Sequence, residues 1–150
     1  MALHPSAEMM IQVLTDSGLT FGPDATPGAR RAAMIAATTN PAFPKHPLHE
    51  VTERTIPGPA GDIPVRVFRP SAAPGLPLLL WFHGGGWVTG NLDTHDQLGR
   101  LLSDGVGAVV VSVDYRLAPE AKFPAAADDC LAAYEWALAH ADEVGADAGE

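Results

Sequence analysis

The sequence predicts an α/β fold, and three of its features carry that prediction. Two unbroken aliphatic runs, LPLLLWFH and GAVVVSVDY, have the continuous hydrophobicity of strands that are buried on both faces of a parallel sheet. A segment with leucines at helical spacing separates them, as a crossover between parallel strands requires. The 150 residues, 47% hydrophobic and 18% charged, are enough for one domain with a hydrophobic core.

The N-terminal part of the chain predicts a helical arm. One helix is expected over residues 6–16, where apolar side chains recur at helical spacing. A second is expected to begin after Thr26 and Pro27, which form a capping residue and a first-turn proline. The proline-rich segment NPAFPKHPLHE then interrupts the pattern. We therefore divide the chain into a helical cap at 1–46 and an α/β core at 47–150.

The core opens with two strand-like runs, EVTERTIP and IPVRVFRP, which are joined by the turn-rich GPAGD. An antiparallel pair is expected because this connection is too short for a crossover helix. Between the two aliphatic runs, DTHDQLGRLLSDG predicts a helix with Leu98, Leu101 and Leu102 on its buried face and Gly105 at its end.

A last helix is expected from about Ala125 to Glu143. Without a following strand, the run AVVVSVDY is expected to leave an apolar sheet edge exposed. The apolar stripe of this helix is expected to consist of Cys130, Leu131, Tyr134 and Leu138.

Composition excludes several classes of partner. The net charge is −9 and no cluster of basic residues exists beyond Arg30 and Arg31, so binding to nucleic acid or to an anionic membrane is not expected.

The single cysteine, Cys130, excludes an intrachain disulfide and a cysteine-based zinc site. The sequence shows no secretion signal and no apolar stretch near the ~18 residues of a membrane span, so a cytoplasmic protein is expected.

Three consecutive glycines follow the first aliphatic run, where the backbone is expected to approach a ligand closely. A dinucleotide fingerprint counted from Gly84 has Thr89 in place of its last glycine. A phosphate loop counted from Gly85 has Asn91 and Leu92 in place of Lys and Ser/Thr. Nucleotide binding is therefore disfavoured. Backbone N–H groups of such a loop can instead stabilise the oxyanion of an acyl-transfer reaction, where one donor is worth ~3 kcal/mol.

Three motifs carry a family resemblance. HGGGW (residues 83–87), DYRLAPE (114–120) and FPAA (123–126), in this order and near these separations, closely resemble the hormone-sensitive-lipase-like esterases of the α/β-hydrolase fold. The resemblance covers most of the chain, including the helical cap, and the combination is far more specific than HGGG alone. It implies the N-terminal half of an α/β-hydrolase sheet.

The resemblance also implies roles for the loop. The amides of Gly85 and Gly86, with Gly84 beside them, would donate to the oxyanion, and His83 would orient the loop rather than transfer a proton. Trp87 would line the substrate pocket, with core packing as the alternative. The parent protein would be a serine carboxylesterase acting on short- to medium-chain esters through an acyl-enzyme, without cofactor or metal.

The chain departs from the family pattern at the nucleophile, because no serine lies in a G-x-S-x-G elbow. We therefore expect the nucleophile, the acid and the histidine of the triad to lie outside these 150 residues, and the chain alone to be inactive. Its expected partner is a complementary C-terminal half or a further copy of itself. The alternative is a non-catalytic, esterase-like binding or interaction module. The five serines of the chain, none of which lies in such an elbow, are Ser6, Ser17, Ser71, Ser103 and Ser112.

Other polar residues near these motifs are interpreted as structural. Tyr115, Arg116 and Glu120 lie in the second motif, and Arg116 or Glu120 is expected to fasten the loop after the strand. The methionines of the arm are assigned to apolar packing: Met9, Met10 and Met34.

Two histidine-containing groups have a possible chemical role. His46, His49 and Glu50 suggest a metal site, but a proline-rich linker without further ligands argues against it. His95 and Asp96 suggest an acid–base pair at a helix start, where ordinary capping explains them equally well.

Overall fold

The computed structural model describes residues 24–39 and 44–149, together with residues 3–5, 8, 11, 12 and 15. Most of the helix expected over 6–16, including Met9 and Met10, lies outside the described residues. The elements that the structure defines are α1 (Pro27–Thr38), β1 (Glu50–Ile56), β2 (Ile63–Arg69), β3 (Leu76–Phe82), α2 (Asp96–Val106), β4 (Val109–Val113), α3 (Ala125–Ala139), a 3-10 turn (Asp142–Val144) and β5 (Ala146–Asp147).

The strands form one sheet in the order β1-β2-β4-β3-β5. β1 and β2 pair antiparallel, as the short GPAGD connection predicted, and β2 also pairs antiparallel with β4. β3 and β4 pair parallel, with Leu80 opposite Val111, and α2 forms the crossover between them. The predicted antiparallel pair and the predicted parallel unit are both confirmed.

β4 is the central strand, and all five of its residues are buried. β2 and β3 pair with its two edges, α2 packs against β2 and β4, and α3 packs against β3 and β4. The expectation that this strand would leave an exposed edge is wrong, because β2 pairs with one of its edges and β3 with the other. Among the described residues, β1 forms one edge of the sheet, and β3 is open beyond Pro77 at the other, since β5 pairs only with Leu76 and Pro77.

α1 begins where the sequence predicted. The amide of Ala29 donates to the Thr26 side chain at 3.2 Å, and Pro27 occupies the first turn. A proline is tolerated there because its missing N–H would have no helical acceptor. Ala33 is the buried residue of this helix.

α2 packs through small and polar side chains, so the predicted leucine face is wrong. Gly99 is buried, and a Cβ on it would lie 2.5 Å from the ring of Phe68. Because of this close approach, Leu98 and Leu101 lie away from the sheet and are 38% and 48% exposed, while Leu102 is half-buried. The Ser103 hydroxyl, fully buried, donates to the carbonyl of Phe68 at 3.2 Å.

The glycine that ends α2 lies two residues later than predicted, at Gly107 instead of Gly105. The helix runs through Gly105 to Val106, and Gly107 follows in the left-handed region with φ +67°. Its amide donates to the carbonyl of Ser103, which closes the last turn. Gly105 is therefore an interior residue of the helix.

Of the stripe predicted for α3, Cys130 packs against the core, whereas the other three residues are exposed. Leu131, Tyr134 and Leu138 are 57%, 49% and 44% exposed. Alanines such as Ala133 and Ala137 face the sheet instead, because α3 packs closely on β3 and β4. The helix ends at Ala139 rather than near Glu143. Among the described residues, no helix combines the length and hydrophobicity that crossing a membrane requires.

Candidate active site

The glycine loop begins directly after β3, at the carboxyl end of the parallel strands. Three consecutive residues have left-handed backbones: Gly85 with φ +136°, Gly86 with φ +60° and Trp87 with φ +59°. A bulky residue at positive φ is a backbone outlier that surrounding contacts must hold in place. The amide of Ala118 supplies one such contact by donating to the carbonyl of Trp87 at 2.8 Å.

The loop is a tight turn that requires glycine at residue 85. A Cβ on Gly85 would lie 2.0 Å from the carbonyl oxygen of Thr89. The carbonyl of Gly85 accepts from the amides of Val88 and Thr89 at 3.2 and 3.0 Å, and from the Thr89 hydroxyl at 3.1 Å. The turn is thus closed through this carbonyl.

The amide side of the loop is open. The N–H groups of Gly84, Gly85 and Gly86 donate to no acceptor among the residues that the structure describes. A Cβ placed on Gly84 or Gly86 would meet no described atom within 4 Å. Backbone donors left without an acceptor in a strained turn are suited to bind an anionic oxygen.

His83 lies beneath the loop and is 3% exposed. Its Nδ1 lies 2.9 Å from the carbonyl of Gly84, to which a protonated Nδ1 donates. The Tyr115 hydroxyl donates to the carbonyl of His83 at 2.5 Å, and the two rings stack with centroids 4.4 Å apart. Burial lowers the pKa of His83 below its ordinary value, partly offset by the bond to Gly84. The neutral imidazole is therefore favoured.

Two apolar concavities adjoin the loop. One, of about 480 Å³, is lined by Gly86, Trp87, Phe123 and neighbouring alanines and proline. Trp87 and Phe123 are 67% and 93% exposed, so Trp87 does not pack into the core of the described residues. The other, of about 350 Å³, lies between the glycines and Tyr115 and Cys130. Burial raises the pKa of the Cys130 thiol to about 11, which keeps it protonated and a poor nucleophile.

Arg116 fastens the loop after β4, as the sequence predicted. Its Nε and Nη2 donate to the two carboxylate oxygens of Asp129 at 2.8 and 2.7 Å, and its amide donates to the same carboxylate at 2.9 Å. Asp129 lies on α3 and is 1% exposed. Sequence reasoning did not find Asp129, because a single sequence does not indicate which acidic residue of the following helix pairs with Arg116.

Glu120 has a partner that the sequence did not reveal. Arg31 of α1 forms a two-point ion pair with it, at 2.9 and 2.7 Å. The hydrogen bonds from Arg31 hold the pKa of Glu120 down at about 2. Arg31 also donates to the carbonyls of Val88 and Ala118 at 2.7 and 2.8 Å. The cap arm therefore contacts both loops of the site.

Comparison with known proteins identifies the fold family. A family model described as an alpha/beta hydrolase fold matches residues 79–150. The carboxylic ester hydrolase LipN of Mycobacterium tuberculosis is 46% identical over 149 residues, which are 96% of this chain and 39% of that protein. The carboxylesterase NlhH of the same organism is 41% identical over 148 residues, which are 96% of this chain and 46% of that protein.

Solved structures agree. A hyperthermophilic esterase from the archaeon Pyrobaculum calidifontis superposes with a TM-score of 0.85 at 40% identity, over 98% of this chain and 47% of that one. The chain belongs to the α/β-hydrolase fold family. It spans less than half the length of these relatives. The similarity to the α/β-hydrolases extends over nearly the whole chain, so the glycine loop and the cap helix α1 both lie within it.

No described serine of this α/β-hydrolase chain is placed as a nucleophile at the loop. Ser103 is fully buried and bonds to the carbonyls of Phe68 and Ala108. Ser112 is 1% exposed in the middle of β4. Ser71 accepts from the amide of Ala73 in the connection before β3. Ser6 and Ser17 lie outside the described residues.

A second arginine cluster holds the start of α2. Arg66 of β2 donates to Asp93 and Asp96 at 2.8 and 2.9 Å, and to the carbonyl of Leu92 at 3.1 Å. Asp96 is 3% exposed and also accepts from Arg100 at 2.7 Å. Burial opposes ionisation of Asp96, but Arg100 and Lys45, which lies 3.1 Å away, outweigh it and lower its pKa. Asp96 is thus a structural anion.

The two histidine groups from the sequence do not form the sites considered. His95 bonds to the Thr94 hydroxyl at 3.0 Å and stacks on His83 with centroids 5.2 Å apart, while Asp96 binds cations instead. His46 pairs with Asp104 at 2.8 Å. Within the described part of the chain, no three side chains of the metal-ligating types are grouped to hold a metal ion.

Proposed function

We propose that this chain is part of a serine carboxylesterase that hydrolyses short- to medium-chain carboxylic esters. The observation that carries the proposal is the run of left-handed residues 85–87, which leaves the loop amides without a described acceptor beside an apolar concavity. The similarity of this chain to proteins named as esterases supports the same activity.

In the proposed reaction, a serine oxygen attacks the ester carbonyl carbon while a histidine takes the serine proton. The amides of Gly85 and Gly86, with Gly84 beside them, donate to the carbonyl oxygen as it becomes negative. The alcohol leaves with the proton, and water then attacks the acyl-enzyme and releases the acid. His83 orients the loop through the Gly84 carbonyl.

The substrate class follows from the walls of the site. The concavity beside Gly86 is lined by Trp87, Phe123 and alanines, which suit an apolar acyl or alcohol group of modest length. The loop itself carries no cationic side chain that would favour a charged ester. No cofactor or metal has a role in this proposal.

The nucleophile and the rest of the triad are proposed to lie outside these 150 residues, on a complementary C-terminal half. The edge of β3 beyond Pro77 and the exposed leucines of α2 and α3 support such a partner, since unpaired strand edges and exposed apolar side chains favour association. A further copy of the chain is the other possible occupant. The domain boundary at residue 46 and the cytoplasmic location stay predictions.

The test is labelling with a fluorophosphonate serine probe, followed by intact mass of every polypeptide in the preparation. An adduct on a longer or second polypeptide, with hydrolysis of p-nitrophenyl acetate and butyrate, would support the proposal. An adduct on a 15.7 kDa species would show that one of this chain's own serines is the nucleophile and would contradict it. Ester binding without adduct or turnover would instead identify a non-catalytic module.

A further inference from the structure

One guanidinium of the cap arm joins the two loops that surround the candidate oxyanion site. Arg31 lies in α1, and its Nε donates to the carbonyl of Val88, directly after the left-handed residues of the glycine loop. Its Nη2 donates to the carbonyl of Ala118 in the loop after β4. Both Nη atoms donate to Glu120. Four of its five N–H groups are thus engaged, in the planar geometry that only arginine provides.

These bonds act on a strained segment. Trp87 has φ +59°, a conformation that costs of order 1–3 kcal/mol for a non-glycine residue and persists only where neighbouring contacts impose it. Its carbonyl is held by the amide of Ala118, and the carbonyl of Ala118 is in turn held by Arg31. Val88, the next residue, is held by Arg31 directly. Arg31 therefore supports the strained residue at two points, through Ala118 and through Val88.

We propose that Arg31 is a positioning residue that holds the glycine loop in its left-handed conformation and so couples docking of the cap arm to orientation of the loop amides. The coupling to catalysis rests on the proposed function of the loop. The holding of the loop conformation does not, and it can be measured separately.

The location of Arg31 makes this role distinct from general stabilisation. Its side chain is 28% exposed and that of Glu120 is 63% exposed, so their ion pair is of a kind that contributes little to global stability. Two of its four bonds go to backbone carbonyls of the site loops rather than to side chains. Loss of Arg31 is therefore expected to loosen those loops and leave the sheet intact.

The first test measures amide hydrogen exchange in Arg31→Lys, with Arg54→Lys as a matched control. Arg54 lies on β1 and donates one bond to the carbonyl of Glu143, far from the loops in sequence. Arg31→Lys is expected to accelerate exchange about tenfold or more at Val88, Thr89 and Ala118, and to leave β4 unchanged. No acceleration there, or equal acceleration throughout the sheet, would overturn the proposal.

The second test measures steady-state kinetics of the same variants in the complete esterase. Because a small misplacement of catalytic donors costs up to about 100-fold in rate, Arg31→Lys is expected to lower kcat about 10- to 100-fold with KM little changed, while Arg54→Lys keeps both. A raised KM with unchanged kcat would overturn the coupling to the amides. If the wild-type protein has no turnover, the proposed function fails, and the exchange result still decides whether Arg31 holds the loop.

Discussion

Two arginines hold the segment that leads from the glycine loop into α2, and they differ in burial. Arg66 is 8% exposed and contacts Asp96, itself 3% exposed. Arg31 and its partner Glu120 have side chains that are 28% and 63% exposed. Removing one member of a buried cluster leaves charges that water cannot reach, whereas water readily replaces an exposed partner. We therefore assign the Arg66 cluster to stability and the Arg31 cluster to loop position.

The largest expected effect tests the buried cluster. Asp96→Ala leaves Arg66 and Arg100 without their shared buried partner, and we expect a loss of about 3–5 kcal/mol in the free energy of unfolding, measured by urea titration. Domains of this size have about 5–15 kcal/mol in total, so the loss would be severe. Asp104→Ala is the control, because the side chain of Asp104 is 55% exposed and, within the described part of the chain, forms an ion pair only with His46. Similar losses in the two variants would contradict the assignment.

The next effect tests the glycine loop. Gly85→Ala places a Cβ against the carbonyl of Thr89 and forces a side chain to φ +136°. We expect a loss of about 1–3 kcal/mol in stability, and a loss of turnover near 100-fold if the loop amides stabilise the oxyanion. Gly105→Ala is the matched control, since Gly105 is an interior helix residue with no described atom near its Cβ. It should be neutral or slightly stabilising.

The strands and their pairing could be predicted from the sequence, whereas the buried faces of the helices could not. Aliphatic runs and the GPAGD turn are local signals, and they led to the correct antiparallel and parallel pairs. The face of α2 depends on how closely the helix approaches Phe68, and that distance is a property of the packed sheet. The sequence pattern therefore predicts a buried leucine face, whereas Leu98 and Leu101 are exposed in the structure.

The glycines of the candidate site, together with Arg116 and Glu120, could be recognised in the sequence because they lie within local motifs. Their partners could not, since Arg31 and Glu120 are 89 residues apart and Asp129 lies on a separate helix. An ion pair between distant segments leaves no pattern in one sequence. The strained φ of Trp87 was also invisible, because nothing about tryptophan suggests a left-handed backbone.

A smaller effect on stability is expected from the stacked rings of His83 and His95. Burial lowers the pKa of both His83 and His95, so the unfolded chain takes up protons before the folded chain does. Stability is then complete above about pH 6.5 and falls as the pH drops toward the lowered values, by at most about 1.4 kcal/mol per pH unit for each histidine. Urea midpoints between pH 7.5 and 5.5 should show this slope.

The histidine assignment is tested by comparing His83→Gln with His49→Gln. His83→Gln should flatten the slope below pH 6.5, because one buried titrating group is removed. His49 is exposed, so its replacement should leave the profile of the wild-type protein unchanged. A wild-type protein equally stable at pH 7.5 and 5.5, or an equal slope in His83→Gln, would show that these rings do not govern the pH response.

The variants with the smallest expected change in stability distinguish most directly between the roles of the Arg31 and Arg66 clusters. Glu120→Gln and Glu53→Gln each replace an exposed carboxylate that binds an arginine, Arg31 in one case and Arg66 in the other. The pKa of Glu120 is about 2, below its ordinary value near 4.3, so its charge supports Arg31 throughout the neutral range and is lost only as the pH falls toward 2.

At pH 7, Glu120→Gln should therefore accelerate amide exchange at Val88 and Ala118 while the urea midpoint stays unchanged. Glu53→Gln should do the reverse, because it weakens a bond to the buried Arg66, whose remaining partners are Leu92, Asp93 and Asp96 at the start of α2. If both variants move the same quantity, the division between a stabilising cluster and a positioning cluster is wrong. If they separate as expected, the burial of the arginine, rather than the exposure of the carboxylate that is replaced, decides which of the two tasks it performs.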